Sequence, residues 1–329
     1  MEDVETQRKG FIGIVSNEDI EGVFDLDLTS WRESVQRTVA LSTSLPGAVH
    51  GAHMCIPKQT SLSGFVYSSC IQFAVAAYNG IEKVRMRIHR IYCKSVSGED
   101  SNFELDQSQS SHLSKVLRLQ VNDEVEVFDG NGASALCLIT SIERKMTSLK
   151  RISEVIFSDV PKEKITMIIP VIKKENLHFM VQKLTEIGIS ELIFYKPDLI
   201  DQSIAKKDHR KMIEKCLEVV ISSCKQCGSN FIPQLNLFEN IIDAFDSIEA
   251  KTDSFLFDLD AKNSFNIKEV SSESNVCLIT GPESGFSDSE LELLNKRNIK
   301  IRLIGKNTLR AETAPLVIAS LVQNQFGNI

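Results

Sequence analysis

Two loops near the C-terminus contain the residue types of a site for a small molecule. The first, GPESGF, covers residues 281–286, and the second, IGKNTLRAETA, covers residues 304–314. Each loop follows an apolar run and precedes a helical pattern. Glycines let a backbone approach a ligand closely, and a proline stiffens the loop that carries it. The pattern therefore predicts two walls of one binding site.

The elements around these loops form an alternating α/β pattern. From Lys164 onwards, apolar strand patterns alternate with amphipathic helical patterns, which predicts a mostly parallel sheet. Ligands of such doubly wound domains bind beyond the carboxyl ends of the strands, where both loops fall. Ser287 and Glu290 have the spacing of a capping box, and Pro315 fits a first helical turn. Each loop alone is better explained as a tight turn, but together they favour a site.

The common nucleotide motifs are missing from this sequence. No GxGxxG follows the first strand of the α/β region, and GxxxxGK[ST] occurs nowhere in the chain. Both motifs cradle phosphates with glycine-rich backbone. Their absence argues against a Rossmann dinucleotide site and against a P-loop nucleotide site.

The region before the α/β pattern has a different character. Residues 86–160 hold several short strand patterns, a turn at residues 129–132 and one helical stretch, SQSSHLSKVLRL. Short strands with turn signals predict a small β-barrel, and the helical stretch predicts a short amphipathic helix with Leu113, Val116 and Leu117 on one face. Residues 1–85 show no pattern of a self-sufficient core.

The overall charge excludes a protein that binds nucleic acid through bulk positive charge. The formal net charge is -7 over 329 residues, and no segment is strongly basic. Any RNA contact must therefore use a local basic patch. No stretch is long and apolar enough to span a bilayer, and the N-terminus does not resemble a signal peptide. We expect a cytoplasmic protein with no membrane partner.

The eight cysteines predict free thiols in a reducing compartment. Cys224 and Cys227 form a CxxC pair inside a helical pattern, without the second ligand pair that a zinc site needs. His50, His53 and Cys55 have ligand-like spacing but lack a further partner nearby. We therefore expect no metal.

Three separated motifs carry a resemblance to a known family. GPESGFSDSELELL and LIGKNTLRAETA resemble the cofactor loops of the RsmE family of SPOUT methyltransferases. HLSKVLRLQVNDEVEVFDGNG resembles that family's PUA-like domain, and HFMVQKLTEIGISELIF resembles the start of its catalytic domain. The resemblance runs from Met86 to the end of the chain. Ser284, Ser229 and Ala311 depart from the usual family pattern of Gly, Arg and Thr.

The resemblance implies an α/β fold and an activity. The expected organisation is an N-terminal extension of unknown role (1–85), a PUA-like RNA-binding β-barrel (86–160) and a trefoil-knotted SPOUT methyltransferase domain (161–329). Members of the family use S-adenosylmethionine to methylate N3 of a uridine in 16S small-subunit ribosomal RNA, and they are homodimers. The substrate is the RNA or the assembled small subunit. Alternatives are another SPOUT RNA methyltransferase, or a non-catalytic RNA-binding protein whose cofactor loop is degenerate at Ser284.

The resemblance also implies roles for individual residues. The catalytic candidates are Arg310 and Glu312, although a surface ion pair and a helix cap, respectively, explain them as well. The cofactor-binding candidates are Leu278, Ile279, Thr280, Gly281, Pro282, Glu283, Gly285, Ile304, Gly305, Leu309, Thr313 and Ala314. The RNA-binding candidates are Arg87, His89, Arg90, His112, Lys115 and Arg118, with a solvated helix face as the alternative.

The chemistry of uracil N3 defines what such a site must do. N3 is an imide nitrogen that is mostly protonated at neutral pH and is then a poor nucleophile. The enzyme must align N3 with the methyl donor and assist loss of the proton. No covalent nucleophile is required, and the sequence leaves the general base unidentified.

Overall fold

A computed structural model describes residues 88–329 of the chain. The predictions for residues 1–85, for Arg87 and for the His50, His53 and Cys55 group lie outside the described residues. Within them, two domains follow each other along the chain.

The first domain is built on a six-stranded sheet. Its strands are β1 (His89–Tyr92), β2 (Asn102–Leu105), β3 (Glu124–Phe128), β4 (Ala133–Ile142), β5 (Thr147–Arg151) and β6 (Ile156–Phe157). The order is β1-β3-β4-β5-β2, with β6 paired to β4. The β1–β3 pair is parallel and the other pairs are antiparallel. Alternate residues of these strands face an apolar core that includes Ile91, Val125 and Leu149.

The predicted amphipathic helix of this domain is two short pieces. Asp106 caps the helix α1 (Gln107–Ser111) by accepting a hydrogen bond from the Gln109 N–H, and a π-helical turn (His112–Val116) follows. Leu113 is fully buried, but Val116 is 66% exposed. The prediction that Val116 shares the buried face was wrong, because a π-turn rotates side chains away from the α-helical spacing.

The second domain contains a six-stranded parallel sheet. Its strands are β7 (Ile165–Pro170), β8 (Glu191–Tyr195), β9 (Gln234–Phe238), β10 (Asp253–Phe257), β11 (Val276–Thr280) and β12 (Lys300–Arg302). The order is β12-β10-β11-β7-β8-β9, and every pair is parallel. All residues of the central strands β7 and β11 are buried, as expected where helices cover both faces. The sheet confirms the predicted α/β class.

Helices pack on both faces of this sheet. They are α2 (Lys174–Ile187), α3 (Gln202–Ala205), α4 (His209–Cys227), α5 (Ile241–Asp246), α6 (Asp288–Asn295) and α7 (Ala314–Gln325). A larger core includes α2, α4 and α7, and a smaller core includes α5 and α6. None of the helices between residues 88 and 329 is long and apolar enough to cross a membrane.

The two domains contact each other through a turn of the first and, in the second, the end of α4 and the segment that follows it. Gly132 N–H donates to the Asn230 carbonyl (3.0 Å), and Ile232 N–H donates to the Gly130 carbonyl (2.9 Å). Both glycines have positive φ, and a Cβ on either would lie 2.7 Å from the side chain of Ile232 or Phe231. Glycine is therefore required here by conformation and by space.

Candidate cofactor and RNA sites

The first predicted loop connects β11 to α6. Ser287 caps α6 by accepting from the Glu290 N–H (3.1 Å), and the Glu290 carboxylate accepts from the Ser287 N–H (2.8 Å). The predicted capping box is confirmed. Glu290 is buried and also accepts a hydrogen bond from the Asp198 N–H (3.2 Å), which links this loop to the one after β8.

The two glycines of this loop serve different purposes. Gly285 has φ +75, and no atom lies within 4 Å of the position that a Cβ would take. A Cβ on Gly281 would instead meet the Phe286 ring at 3.1 Å. Gly285 therefore leaves open space beside backbone in a left-handed conformation that glycine adopts without strain, whereas Gly281 permits packing against Phe286.

The second predicted loop runs from β12 to α7. Gly305 has φ +69 and faces open space, like Gly285. The Arg310 carbonyl accepts from the N–H groups of Thr313 (2.9 Å) and Ala314 (3.0 Å), which begins α7. Pro315 lies in the first turn of that helix, as predicted.

Sequence reasoning missed a third loop, residues 258–263, that follows β10. Strand β10 lies between β11 and β12, so its carboxyl end opens between the two predicted loops. Asp258 N–H donates to the Arg302 carbonyl (3.1 Å), and Leu259 is exposed. The stretch FDLDAKN, an apolar strand followed by polar residues, was the available signal.

Two of the predicted cofactor residues are core residues. Leu278 and Ile279 are fully buried and belong to the cores on opposite faces of the sheet. The prediction that Leu278 is an apolar wall of the cofactor site was wrong, because the strand order surrounds its side chain with neighbouring strands and helices. Ile304 is half-buried against the larger core, and Leu309 is partly exposed.

Thr280 is the last residue of β11, where the first predicted loop begins. Its carbonyl accepts a hydrogen bond from the Tyr195 hydroxyl (3.1 Å). Its own hydroxyl is buried and has no hydrogen-bond partner. A buried polar atom without a partner is costly, and a ligand group that binds there is one physical explanation for it.

The two catalytic candidates lie at the end of the second loop. The Arg310 side chain is 84% exposed and its Nη1 lies 3.9 Å from Oε1 of Glu312, whose side chain is 13% exposed. An exposed contact of this length contributes little to stability. Thr313 is the N-cap residue of α7, so Glu312 is not the helix cap. The Arg310 guanidinium is therefore accessible to a ligand.

One RNA-binding candidate is occupied inside the protein. The Arg90 guanidinium donates to the carbonyls of Cys224 (2.7 Å) and Ser229 (3.3 Å) and to the Asn230 side chain. It also stacks on the Phe128 ring at 4.6 Å and lies 3.2 Å from the Glu126 carboxylate. We therefore remove Arg90 from the RNA-binding set: its charge is used to join the domains.

The other described candidates form a basic cluster together with a residue that sequence reasoning missed. His112 lies near both His89 and Lys225. Lys225 comes from the last turn of α4, and its ammonium donates to the Gln109 side chain (2.5 Å). Burial lowers the pKa of Lys225 to about 8, against the opposing effect of Asp106. Burial also lowers the pKa of His112, and Lys225 and His89 lower it further. At neutral pH His112 is therefore a neutral hydrogen-bonding group.

Lys115 and Arg118 are exposed at the end of the same helical segment. Arg118 has φ +57, a left-handed conformation that is uncommon for a residue with a side chain. We call His89, His112, Lys115, Arg118 and Lys225 the basic cluster. Lys115 and Arg118 belong to it because they follow His112 in the same segment.

The CxxC cysteines are free thiols. Cys224 is buried, its pKa is raised to about 12 by burial, and its Sγ contacts the Phe231 carbonyl (3.5 Å). Cys227 is exposed. A thiol with so high a pKa is unreactive at neutral pH.

Two domain families match the chain in the order that the fold suggests. Residues 105–146 match the RNA methyltransferase PUA domain, and residues 159–323 match the RNA methyltransferase domain. The fold and the matches together define an RNA methyltransferase that carries a PUA domain. The ribosomal RNA small subunit methyltransferase E of Rickettsia conorii is 30% identical over 244 residues, covering 72% of this chain and 96% of that protein. This chain belongs to the ribosomal RNA small subunit methyltransferase E family.

Solved structures share the same fold. The ribosomal RNA small subunit methyltransferase E of Neisseria gonorrhoeae, bound to S-adenosyl methionine, has a TM-score of 0.64 and 22% identity, covering 73% of this chain and 98% of that one. A methyltransferase from Legionella pneumophila, in complex with the same cofactor, has a TM-score of 0.65 and 25% identity over the same shares.

Proposed function

We propose that this protein transfers a methyl group from S-adenosylmethionine to N3 of a specific uridine in 16S small-subunit ribosomal RNA. The observation that carries the proposal is the convergence of three loops, after β10, β11 and β12, at one edge of a parallel sheet. Family membership supplies the reaction class, and the relatives that share it are named for the small-subunit RNA.

The described residues fit the cofactor. The unpartnered Thr280 hydroxyl supplies a polar contact, and Gly285 and Gly305 leave open space beside exposed backbone. Backbone groups of residues 280–285 and 304–309 would hold adenine and ribose, with Pro282, Ile304 and Leu309 as apolar contacts. Glu283 would face a ribose hydroxyl or the sulfonium, and Thr313 and Ala314 would close the second loop.

When bound, S-adenosylmethionine supplies a methyl group on a positively charged sulfur. In the transfer, N3 would lose its proton to water and bond to the methyl carbon while the carbon–sulfur bond breaks, and the electron pair of that bond would stay on sulfur. Arg310 is the proposed catalytic cation, because it is accessible and follows the second loop. Glu312 is the proposed residue that orients it. A fixed cation near the uracil lowers the cost of the negative charge that develops there.

The proposed RNA contact is the basic cluster of His89, His112, Lys115, Arg118 and Lys225. The cations Lys115, Arg118 and Lys225 are sufficient for phosphate contacts, which position RNA without reading its sequence, and His112 adds a neutral hydrogen-bonding group. The cluster includes both domains, so RNA bound there would lie across their junction. This supports residues 86–160 as the RNA-binding domain and residues 161–329 as the catalytic domain.

The quaternary and cellular proposals rest on the family resemblance. We propose a homodimer with a trefoil-knotted catalytic domain, acting in the cytoplasm, where its ribosomal substrate is assembled. Sedimentation of the full chain across a range of concentrations tests the dimer.

The experiment that tests the activity uses small ribosomal subunits from bacterial cells that lack their own enzyme of this family. The full chain and S-adenosylmethionine are added, and the RNA nucleosides are analysed by mass spectrometry. We expect a single new N3-methyluridine. A methyl group on another base or atom would contradict the uridine-N3 assignment, and cofactor binding without any RNA methylation would contradict the activity.

A further inference from the structure

A cavity of about 380 Å³ opens beside the first cofactor loop, on the side away from β10 and β12. It lies beyond the carboxyl ends of β7, β8 and β11, which are neighbours in the sheet. Its walls come from residues 171–173, 197–201 and 282–284, with Ile204 of α3 below. The loop after β11, including Pro282 and Glu283, therefore borders both the proposed cofactor side and this cavity.

The walls of the cavity combine apolar faces with a few charged groups. Val171, Pro197, Leu199 and Ile200 provide apolar surface, and Lys173 is a cation at the same opening. The volume lies within the range of about 300–1,000 Å³ that is typical of small-ligand sites. Apolar surface with two carboxylates, Asp201 and Glu283, at the same opening suits a flat, neutral heterocycle better than a phosphate.

We infer that this cavity receives the target uracil after the nucleotide has rotated out of the RNA. The inference rests on the proposed function, and it assigns the acceptor site that the cofactor loops do not define. Enzymes that modify a base inside folded nucleic acid extrude it into a pocket. The shared β11 loop then brings the acceptor next to the methyl donor.

Lys173 is positioned to stabilise the uracil as its N3 proton leaves. The negative charge spreads onto the two carbonyl oxygens that flank N3, and an ammonium group can donate a hydrogen bond to either. Lys173 is also the N-cap residue of α2, a helix of 14 residues, so the positive end of the helix dipole lies at the same place. Both features favour a negative charge there.

Two acidic residues, Asp201 and Glu283, line the cavity, and Glu283 is the one proposed above to face the cofactor. The Asp201 carboxylate accepts a hydrogen bond from the Ser203 N–H (2.7 Å) and caps α3. The Ser203 side chain and backbone lower the pKa of Asp201, so it is a poor proton acceptor. Asp201 is thus committed to the loop, and the N3 proton leaves to water.

Ser284, which departs from the family glycine, sets the width of the cavity. Its hydroxyl donates to the Leu199 carbonyl (2.7 Å) and so joins the loop after β11 to the loop after β8. Both loops line the cavity, so the hydrogen bond fixes the distance between opposite walls. The departure therefore has a structural role in the acceptor site and does not indicate a degenerate cofactor loop.

The first test fills the cavity. Leu199 is 46% exposed, so Leu199→Trp adds bulk to the wall without disturbing a core, and Leu293→Trp on α6 is the matched control at 42% exposure. We expect Leu199→Trp to bind S-adenosylmethionine within twofold of wild type and to methylate subunits at least 100-fold more slowly. The control should match wild type in both measurements. A Leu199→Trp protein that methylates normally, or that loses cofactor binding, overturns the inference.

The second test removes the cation. Lys173→Met is compared with Lys207→Met, an exposed lysine outside the cavity, in single-turnover methylation across pH 6–9. We expect a loss of about 100-fold at neutral pH for Lys173→Met alone, because one preorganised donor is removed. The deficit should shrink at high pH, and also with RNA that contains the more acidic 5-fluorouridine, since N3 then ionises without help. A deficit that is independent of pH and of the base rules out the charge-stabilising role.

A third measurement separates the inference from the proposed function. Small-subunit RNA containing photoreactive 4-thiouridine is cross-linked to the full chain, and the cross-linked peptide is mapped. We expect cross-links to residues 171–173 or 197–201. Cross-links found only elsewhere overturn the acceptor site even where methylation occurs. Cross-links at these residues without methylation uphold the pocket and refute the proposed activity.

Discussion

The guanidinium of Arg90 donates a hydrogen bond of 2.7 Å to the carbonyl oxygen of Cys224 and joins the two domains. Cys224 lies in the last turn of α4, and its carbonyl also accepts the N–H of the C-cap residue Gly228 (3.1 Å), so the guanidinium is a second donor to the same oxygen. A cation there also favours the negative end of the helix dipole. The bond therefore holds the first domain against the methyltransferase domain, with Lys225 next to it in the basic cluster.

Replacing Arg90 by Met should weaken this junction. The Ser229 carbonyl and the Asn230 side-chain oxygen then lose this donor, and the Cys224 carbonyl keeps only the Gly228 N–H, which we expect to lower the free energy of unfolding by about 1–3 kcal/mol. RNA affinity should fall because Lys225 and His112 are no longer held together, while S-adenosylmethionine affinity is unchanged. Chemical denaturation and the two binding titrations measure this, with Arg144→Met, an exposed arginine in the turn after β4, as the control. RNA affinity equal to wild type in a destabilised protein would disprove the link between the junction and the RNA site.

Gly285→Val should abolish cofactor binding. The valine must adopt φ near +75 and project into space that the structure leaves open. Strained backbone of this kind costs about 1–3 kcal/mol. Gly327→Val is the matched control, because Gly327 has the same φ and the same open surroundings but lies outside the two cofactor loops. Calorimetry should show binding for the control and none for Gly285→Val; equal affinities would mean that the first loop is only a turn.

Arg310→Ala should separate chemistry from cofactor binding. A sulfonium does not need a neighbouring cation, so S-adenosylmethionine affinity should stay within twofold of wild type. The single-turnover rate at saturating RNA should fall on the order of 100-fold. Lys306→Ala, an exposed cation in the same loop, is the control. A saturated rate within threefold of wild type, about 0.6 kcal/mol in barrier height, would assign Arg310 to RNA binding and not to the chemical step.

RNA affinity should fall as the pH rises above 8. The pKa of Lys225 in the folded protein is about 8, so its ammonium is charged below that pH and loses its proton above it. Phosphate binds only the charged form, so affinity is greatest below pH 8. The slope of log affinity against log salt should become shallower by about 1 between pH 7 and pH 9. Lys225→Arg, which keeps its charge, should remove the change; a persistent change would assign it to another group.

Local signals in the sequence were sufficient to predict the α/β class, both loops and the first turns of α6 and α7. A capping box, a proline in a first turn and glycines after apolar runs depend on neighbours a few residues away. The same is true of the alternation that predicted the strands. These features could be read from the chain because the physics that produces them is local.

Only the tertiary structure decided which residues the site contains. Insertion of β10 between β11 and β12 adds a third loop, and the same strand order buries Leu278 inside the sheet. Arg90, which was predicted to bind RNA, joins the two domains, and Lys225, which had no predicted role, belongs to the basic cluster. Both results follow because the end of α4 packs against the first domain, more than a hundred residues away in sequence. Burial and electrostatic neighbours depend on which distant segments meet, and no local pattern records that.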